Sequence, residues 1–551
     1  MAPPLKNLIP SVLKTNYILA LSSALLLWLA WPPIPYTGIL LWFAFVPLLI
    51  AFERIIRSDL PKKGKKIFLT GGLTALVWNT SCIYWVYNSV SEVMPAYAAI
   101  PISMIPFGLG ALLMTLAFRA YYQLRKHHNI YLSLLGMVGF WISYEYLHQT
   151  WDLAFPWMTL GNGFASTSRL IQWYEYTGVY GGTIWIWGAN ALAFLLYLAY
   201  KDGFASRFRL SLGLYLAAWI GIPTALSLLL YANFEENTNP SEVVVVQPNV
   251  EPYGKFGPIP PEQQIETLIQ LSEAVAQTNT EFIIWPETAI AHYFGYNEEE
   301  FRDHPLFYRL QQFLEPYKNA SLVSGIESFR IYSEAETPTA REWEGVYYDH
   351  FNAVVMTENS PELRFYHKSK LVPGVEKLPF GQALSFMKPL FRAFGGTTGG
   401  YGSQENASVL YAQSGIGVAP VICYESIWGN YVSEYVRQGA QFIAIVTNDG
   451  WWGNTSGKDQ HFDYARLRAI ETRRWVARSA NTGISGFIDQ KGDVIQKSQW
   501  EVPYSATQEI NLNESLTFYV RYGDLGAFLF MGVALFSAGS ILLNARRRRH
   551  K

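Results

Sequence analysis

The stretch VAPVICYESIWGN, residues 418–430, runs from an apolar, β-branched segment straight into a cysteine, a tyrosine and a glutamate. Val418 to Ile422 have the residue types of a buried strand. Cys423, at its end, is one of only two cysteines in 551 residues. A structural cysteine is a small hydrophobe that needs no charged neighbour, whereas a nucleophilic thiol needs a tuned environment. The stretch therefore reads as a strand that displays a thiol beside Glu425.

On both sides of it, short apolar runs alternate with helical patterns, the pattern of an α/β or layered sandwich domain. Strands are expected at 243–247 (VVVVQ), 282–285 (FIIW), 321–326 (SLVSGI), 351–356 (FNAVVM), 418–425, 442–449 (FIAIVTND) and 485–489 (SGFID). Helices are expected at 261–279, which opens on Pro-Glu, and at 462–480, which carries Arg on its polar side. The aromatic and glycine-rich segment 386–402 is expected to be a mobile, partly apolar lid.

Outside this domain the chain changes character. The whole chain is half hydrophobic, with 19 Trp, 35 Tyr and 33 Phe, and only 15% charged, against about 25% in soluble domains, and its long apolar runs crowd the part outside this domain. A spanning helix needs roughly 20 mainly apolar residues. The candidates are 16–32, 38–53, 67–87, 96–118, 131–149, 179–200, 210–231 and 519–543, the first two joined by the breaker PPIPYTG. The arrangement is about eight spans: a membrane domain over 1–232, an α/β domain over 233–518, and a last helix with a basic tail over 519–551.

Lys and Arg set the orientation, because cytoplasmic loops carry their excess. Arg54, Arg57, Lys62, Lys63, Lys65 and Lys66 follow the second span, and Arg119, Arg125 and Lys126 follow the fourth. Lys201, Arg207 and Arg209 follow the sixth, and the tail is ARRRRHK. The loop 88–95 has neither residue, and 150–178 has only Arg169. Both termini are therefore expected in the cytoplasm and the α/β domain outside. A net charge of −1 leaves no nucleic-acid footprint. Two cysteines make no disulfide framework, Cys82 lies in an apolar segment, and His367 and His461 are too isolated for a metal cluster. No cofactor and no metal are expected.

Three expected strand ends carry polar residues: Glu287 in FIIWPETA, Lys368 and Lys370 in LRFYHKSKLVP, and Cys423. Taken singly, a Glu or Lys there is ordinarily a solvated charge, and a Cys after β-branched residues is ordinarily core. Together they form an acyl-transfer set. A carboxylate can take the thiol proton, the thiolate can attack a carbonyl, and an ammonium can stabilise the oxyanion. By i, i+2 spacing Lys368 and Lys370 share a strand face and are alternatives for the last role.

These residues carry a family resemblance. WPETA (285–289), YHKSKLVP (366–373), ICYE (422–425) and TNDGWWG (447–453) resemble the nitrilase, or carbon–nitrogen hydrolase, superfamily with its Glu–Lys–Cys triad. With FPWMTLGNG (155–163) and FYVRYGD (518–524), nearly the whole chain resembles the apolipoprotein N-acyltransferase family of bacterial envelopes. The resemblance implies an α-β-β-α sandwich outside the inner membrane, in the periplasm, carried by a multi-pass anchor. It makes Glu287 the general base, Lys368 the oxyanion stabiliser and Cys423 the nucleophile. It adds Glu376 as a second glutamate, although Gly374-Val375 precede it where the family usually has Phe-Gly. Tyr424, Glu425 and Trp451 match pocket-shaping positions, and Phe256 stands where the family often has a substrate-binding Trp. The implied reaction has two steps: a phospholipid, preferably phosphatidylethanolamine, acylates Cys423, and the α-amine of a diacylglyceryl-modified apolipoprotein then takes the acyl group. The alternatives are a membrane-tethered amidase, with water as acceptor, and a non-catalytic lipoprotein-binding scaffold.

Overall fold

A computed structural model of the chain describes residues 11–93, 95–252, 255–257, 259–380 and 400–549. Each of the eight expected apolar segments is helical. Among the described residues six helices are long and apolar enough to cross a membrane: Thr37–Arg57, Ala96–Arg125, Ile130–Leu147, Tyr174–Lys201, Ser206–Asn233 and Leu525–Arg547. A seventh crossing is made if Lys63–Ile83 and Trp85–Glu92, bent by 57°, count as one span. Ser11–Leu29 is helical but is not among them, so the expected eight is an approximate count. Leu214, Ile222, Leu229, Leu529, Leu535 and Phe536 stand exposed on these helices, as a surface covered by hydrocarbon requires.

The outer domain is built from two sheets. The first contains β1 (Pro240–Gln247), β2 (Phe282–Ile290), β3 (Tyr296–Asn297), β4 (Ser321–Tyr332), β5 (Arg341–Trp343), β6 (Val346–Thr357) and β7 (Leu363–His367). The second contains β8 (Leu410–Tyr411), β9 (Gly417–Ile422), β10 (Phe442–Thr447), β11 (Val476–Ala480), β12 (Gly486–Ile488) and β13 (Val494–Lys497), while β14 (Tyr504–Asn511) returns to the first. Their orders are β14-β1-β2-β4-β6-β5, with β3 on β4 and β7 on β6, and β13-β12-β11-β10-β9-β8. The sheets meet through apolar faces, with the Phe282 and Phe442 rings 5.0 Å apart. Helices Pro261–Glu273 and Pro305–Leu314 bury Ile265, Leu268, Phe307 and Phe313 on the outer face of the first sheet. Helices Gly429–Arg437 and Ser456–Thr472 cover the second on the membrane side. The architecture is the expected α-β-β-α sandwich on a helical membrane domain.

Two expected helices stop early. The first ends at Glu273. The second runs from Ser456 to Thr472 and stops where Arg473 turns left-handed, at φ 51°; Val476–Ala480 then becomes β11, inserted beside β10. Its arginines do not form a solvated face, because Arg468, Arg474 and Arg478 are almost wholly buried. A buried arginine must find acceptors, and these bind carbonyls of neighbouring loops, as Arg468 does at Ile427 (2.6 Å) and Arg474 at Ala440 (2.9 Å). Of the expected lid, 386–399 lies outside the described residues.

The two domains are bolted together by Gln460. Its Nε2 donates to Pro32 O and Cys82 O, both at 3.0 Å, while its Oε1 accepts from Trp157 Nε1 (2.7 Å) and Trp85 Nε1 (3.3 Å). Tyr464 donates to Trp157 O (2.9 Å) and Tyr424 to Ala154 O (2.9 Å). The membrane motif FPWMTLGNG is thus the seat of the outer domain. Cys82 is buried in the core of the membrane domain.

Candidate active site

β9 ends at Ile422, and Cys423 follows in the left-handed region at φ 48°, opening a short 3₁₀ turn over Cys423–Ile427. A non-glycine residue there is strained and persists only where its surroundings over-determine it. Here they do. Glu425 folds back, its Oε2 accepting from Ile422 N (2.9 Å). Its Oε1 accepts from Tyr366 Oη (2.6 Å) and from the amides of Ser369 (2.7 Å) and Lys370 (3.2 Å). Glu425 is fully buried and ties the cysteine turn to the lysine loop.

The Glu287 side is a bulge. β2 advances from Trp285 to Ile290 while its neighbour β4 advances only from Ser324 to Ile326. The extra residues, opened by Pro286, which cannot donate to the ladder, re-aim the strand so that Glu287 enters the site. A Cβ on Gly325 would lie 2.4 Å from Thr288 N and 2.6 Å from Glu287 Cα, so only glycine lets the bulge close.

Lys368 follows directly on β7. Its Nζ donates to Glu287 Oε1 (3.0 Å) and Glu376 Oε1 (2.7 Å). Glu376 is held by Val372 N on its other oxygen (2.7 Å). Asn352 on β6 donates through Nδ2 to both carboxylates, at 2.8 Å to Glu287 and 3.0 Å to Glu376, and its own Oδ1 is unpartnered. Lys370 takes another course: its ammonium sits over the Tyr431 ring, 4.6 Å from the centroid. The i, i+2 argument fails because β7 stops at His367 and both lysines lie in the following turn.

Burial pushes the Cys423 thiol up and Glu287 adds to that, while Lys368 and a hydrogen bond with Thr447 pull it down without prevailing. The resting sulfur is a thiol, and it needs a base at the moment of attack. Burial pulls Lys368 down, but Glu287, Glu376 and Cys423 outweigh it and hold its ammonium well above the usual lysine range. The site therefore contains a permanent cation beside a thiol and a carboxylate, the combination that acyl transfer requires.

Beneath the cysteine lies a second buried network. His461 Nε2 is 3.1 Å from Cys423 O and 2.9 Å from Ser426 Oγ; its Nδ1 is 2.8 Å from Asp449 Oδ1. Arg478 donates to Asp449 Oδ2 (2.7 Å). Burial pushes the Asp449 carboxyl up, yet Arg478 and His461 hold it down at about 2. Tyr424 turns toward the membrane domain, its ring 4.7 Å from Trp428. Trp451 is half-buried in the 3₁₀ turn Asp449–Trp452, and Phe256 is exposed on the loop after β1. Sequence reasoning missed Asn352, and it dismissed His461 for lack of a nearby ligand motif, although its partners arrive from the turns after β9 and β10 and from β11.

Between the domains a cavity of about 330 Å³ is lined by Trp151, Ala154, Lys370, Trp428 and Tyr431 among others. Beside it, Trp85, Phe155, Trp157 and Trp452 form a ring cluster with centroids 4.7–6.5 Å apart, and Phe155 reaches the Tyr424 ring at 6.4 Å.

Comparison with known proteins places this geometry in context. Residues 23–192 match the apolipoprotein N-acyltransferase N-terminal domain, and residues 245–515 match the carbon-nitrogen hydrolase family. An apolipoprotein N-acyltransferase of Chlorobaculum tepidum is 28% identical over 95% of this chain and 96% of its own. One from Geobacter metallireducens is 28% identical over 94% of this chain and 93% of its own.

Proposed function

The chain belongs to the apolipoprotein N-acyltransferase family, joining that family's N-terminal domain to a carbon–nitrogen hydrolase domain, and on that premise we propose how its residues transfer an acyl group from a phospholipid to a lipoprotein amine. The observation that carries the reading is the convergence of Glu287, Lys368 and Glu376 beside a buried thiol. Glu287 takes the Cys423 proton as the sulfur attacks the ester carbonyl of a phospholipid, phosphatidylethanolamine being the expected donor. Lys368, kept cationic by its two carboxylates, stabilises the oxyanion. The tetrahedral adduct collapses, the C–O bond breaks, and Glu287 returns the proton to the departing lysophospholipid. A thioester remains on Cys423. The α-amine of a diacylglyceryl-cysteine then attacks it, Glu287 takes the amine proton and passes it to the leaving thiolate, and the amide departs. Glu376 and Asn352 hold the Lys368–Glu287 pair, and Glu425 positions the turn rather than touching substrate.

Both substrates lie in a bilayer, and the ring cluster of Trp85, Phe155, Trp157 and Trp452, which reaches Tyr424 through Phe155, supports an apolar approach from its edge. The alternating Lys/Arg bias of the loops supports a periplasmic catalytic domain with cytoplasmic termini in the inner membrane. An impermeant thiol reagent should then label a cysteine introduced at Tyr293 in intact cells and spare one at Lys65; the reverse pattern inverts the topology.

The decisive test of transfer against hydrolysis is acceptor dependence. Acyl-enzyme formed on phospholipid should discharge onto a diacylated lipopeptide with a free α-amine and persist with its N-acetylated form, whose nitrogen lone pair is already in an amide. Discharge to water at the same rate with either peptide contradicts the transferase reading.

A further inference from the structure

Behind Glu287 lies a second lysine that the acyl-transfer steps do not use. Lys255, on the loop after β1, is only 2% exposed. Its Nζ donates to the backbone carbonyl of Glu287 (2.9 Å) and to Thr288 Oγ1 (2.8 Å). Both acceptors belong to the bulge that aims the base. Thr288 sits in the left-handed region at φ 49°, a conformation that a β-branched residue adopts only under external restraint. The near end of Lys255 is fixed as well, its carbonyl accepting from Gln264 Nε2 (2.8 Å) on helix Pro261–Glu273.

A buried ammonium is ordinarily found against a carboxylate oxygen. The carboxylates of Glu287 and Glu327 do face Lys255, but its close hydrogen bonds go to a main-chain carbonyl and a hydroxyl. The lysine grips the backbone of the base rather than neutralising its charge. Burial pulls its pKa down to about 7 against the pull of those two carboxylates, and as ammonium or as amine its nitrogen can donate to both acceptors. Phe256, the next residue, is exposed, so the same short loop runs from the surface to the Glu287 backbone.

We infer that Lys255 is a positioning residue for the general base, its ammonium pinning the bulged Glu287–Thr288 backbone so that the Glu287 carboxylate stays on Lys368 and beside Cys423. This rests on the assignment of Glu287 as base. Misplacing a reacting group by about 1 Å costs on the order of 100-fold in rate, which sets the expected effect of losing the pin.

The experiment follows alkylation of Cys423 by iodoacetamide, mapped at the peptide level, together with kcat and KM for phospholipid, in the full-length protein. Lys255→Met should slow both alkylation and kcat by roughly 100-fold with KM for phospholipid unchanged. Its alkylation pH profile should move downward even as the rate falls, because a Glu287 charge drawn away from the sulfur pushes the thiol up less. The groups that bear on that profile are Glu287, Lys368 and Asp449 facing Cys423, Glu287 and Glu327 facing Lys255, and Glu376 and Tyr401 facing Glu327. Thr288→Val keeps the lysine and deletes one acceptor, and should show the same split at about a tenth of the effect; it decides the matter if Lys255→Met does not fold. Wild-type rates and profile in the folded variants overturn the inference, as does a loss expressed mainly in KM. Glu287→Gln separates the two levels: a reactive, active Glu287→Gln sinks the base assignment, whereas an inactive one beside wild-type Lys255 and Thr288 variants sinks only the pin.

Discussion

Cys423 stands between two buried charged networks of opposite character. On one side, Lys368 is shared by Glu287 and Glu376, one Asn352 amide nitrogen serves both carboxylates, and Asn352 Oδ1 has no partner. On the other, both Asp449 oxygens are taken, by Thr447 and His461 on one and Arg478 on the other, and His461 continues the chain to the cysteine's own carbonyl. The first network joins side chains beside the thiol; the second, in which Arg478 Nη1 is likewise without a partner among the described residues, ends on the cysteine's backbone. Under the proposed mechanism the difference separates groups that react from groups that hold the reacting group still.

The largest effect expected from breaking this pairing is chemical and one-sided. Cys423→Ala, Glu287→Gln and Lys368→Met should each lower acyl transfer by roughly 10²–10⁴-fold or more, while Cys423→Ala melts close to wild type. A Cys423→Ala protein that unfolds would make the cysteine a structural residue.

The opposite network should fail in stability first. Asp449→Asn leaves Arg478 and His461 buried without their carboxylate, and losing one partner of such a pair costs about 3–5 kcal/mol. Chemical denaturation should show that loss. An Asp449→Asn protein of wild-type stability without activity would move Asp449 into the reacting set.

A smaller effect separates buried charge that is satisfied from buried charge that is not. Burial raises the Glu327 carboxyl to about 8, with Tyr401 and Lys255 pulling it down and Glu376 and Glu287 pushing it up. A carboxyl raised in the folded state contributes stability that is present at low pH and is lost as pH climbs from the ordinary glutamate value toward 8. Glu327→Gln removes that titration, so its melting temperature should fall less than wild type between pH 5 and 8. Identical slopes contradict the burial argument. The smallest effect belongs to Lys370→Met, which deletes one cation–π contact worth about 0.5–1 kcal/mol and should leave kcat within a few-fold. Strong inactivation there would exchange its role with that of Lys368.

These contrasts also mark what could be read from residues alone. β9 and β10 announce themselves by β-branched runs, and the apolar segments by length, because burial on both faces or in lipid leaves a compositional trace. Glu287, Lys368 and Cys423 are legible as a set because each follows such a run. Asn352 and Lys255 carry no such trace: one acts only once β6 lies beside Glu287, the other only once the β1 loop folds under the bulge. Spacing alone left Lys368 and Lys370 as alternatives, because it assumed a strand through both, whereas β7 stops one residue before the first of them. Helix Ser456–Thr472 was overextended because Arg473 and Arg474 look like a polar face until the carbonyls that receive them are in place.

The central claim is that Cys423 is acylated by a lipid donor with Glu287 as its base. Intact mass measurement of the protein after incubation with phosphatidylethanolamine alone tests it most directly. Wild type and Cys82→Ser should gain the mass of one acyl chain and release lysophospholipid, while Cys423→Ala and Glu287→Gln gain nothing. An adduct that survives Cys423→Ala, or a wild-type protein that releases lysophospholipid yet never carries the acyl group, contradicts the account.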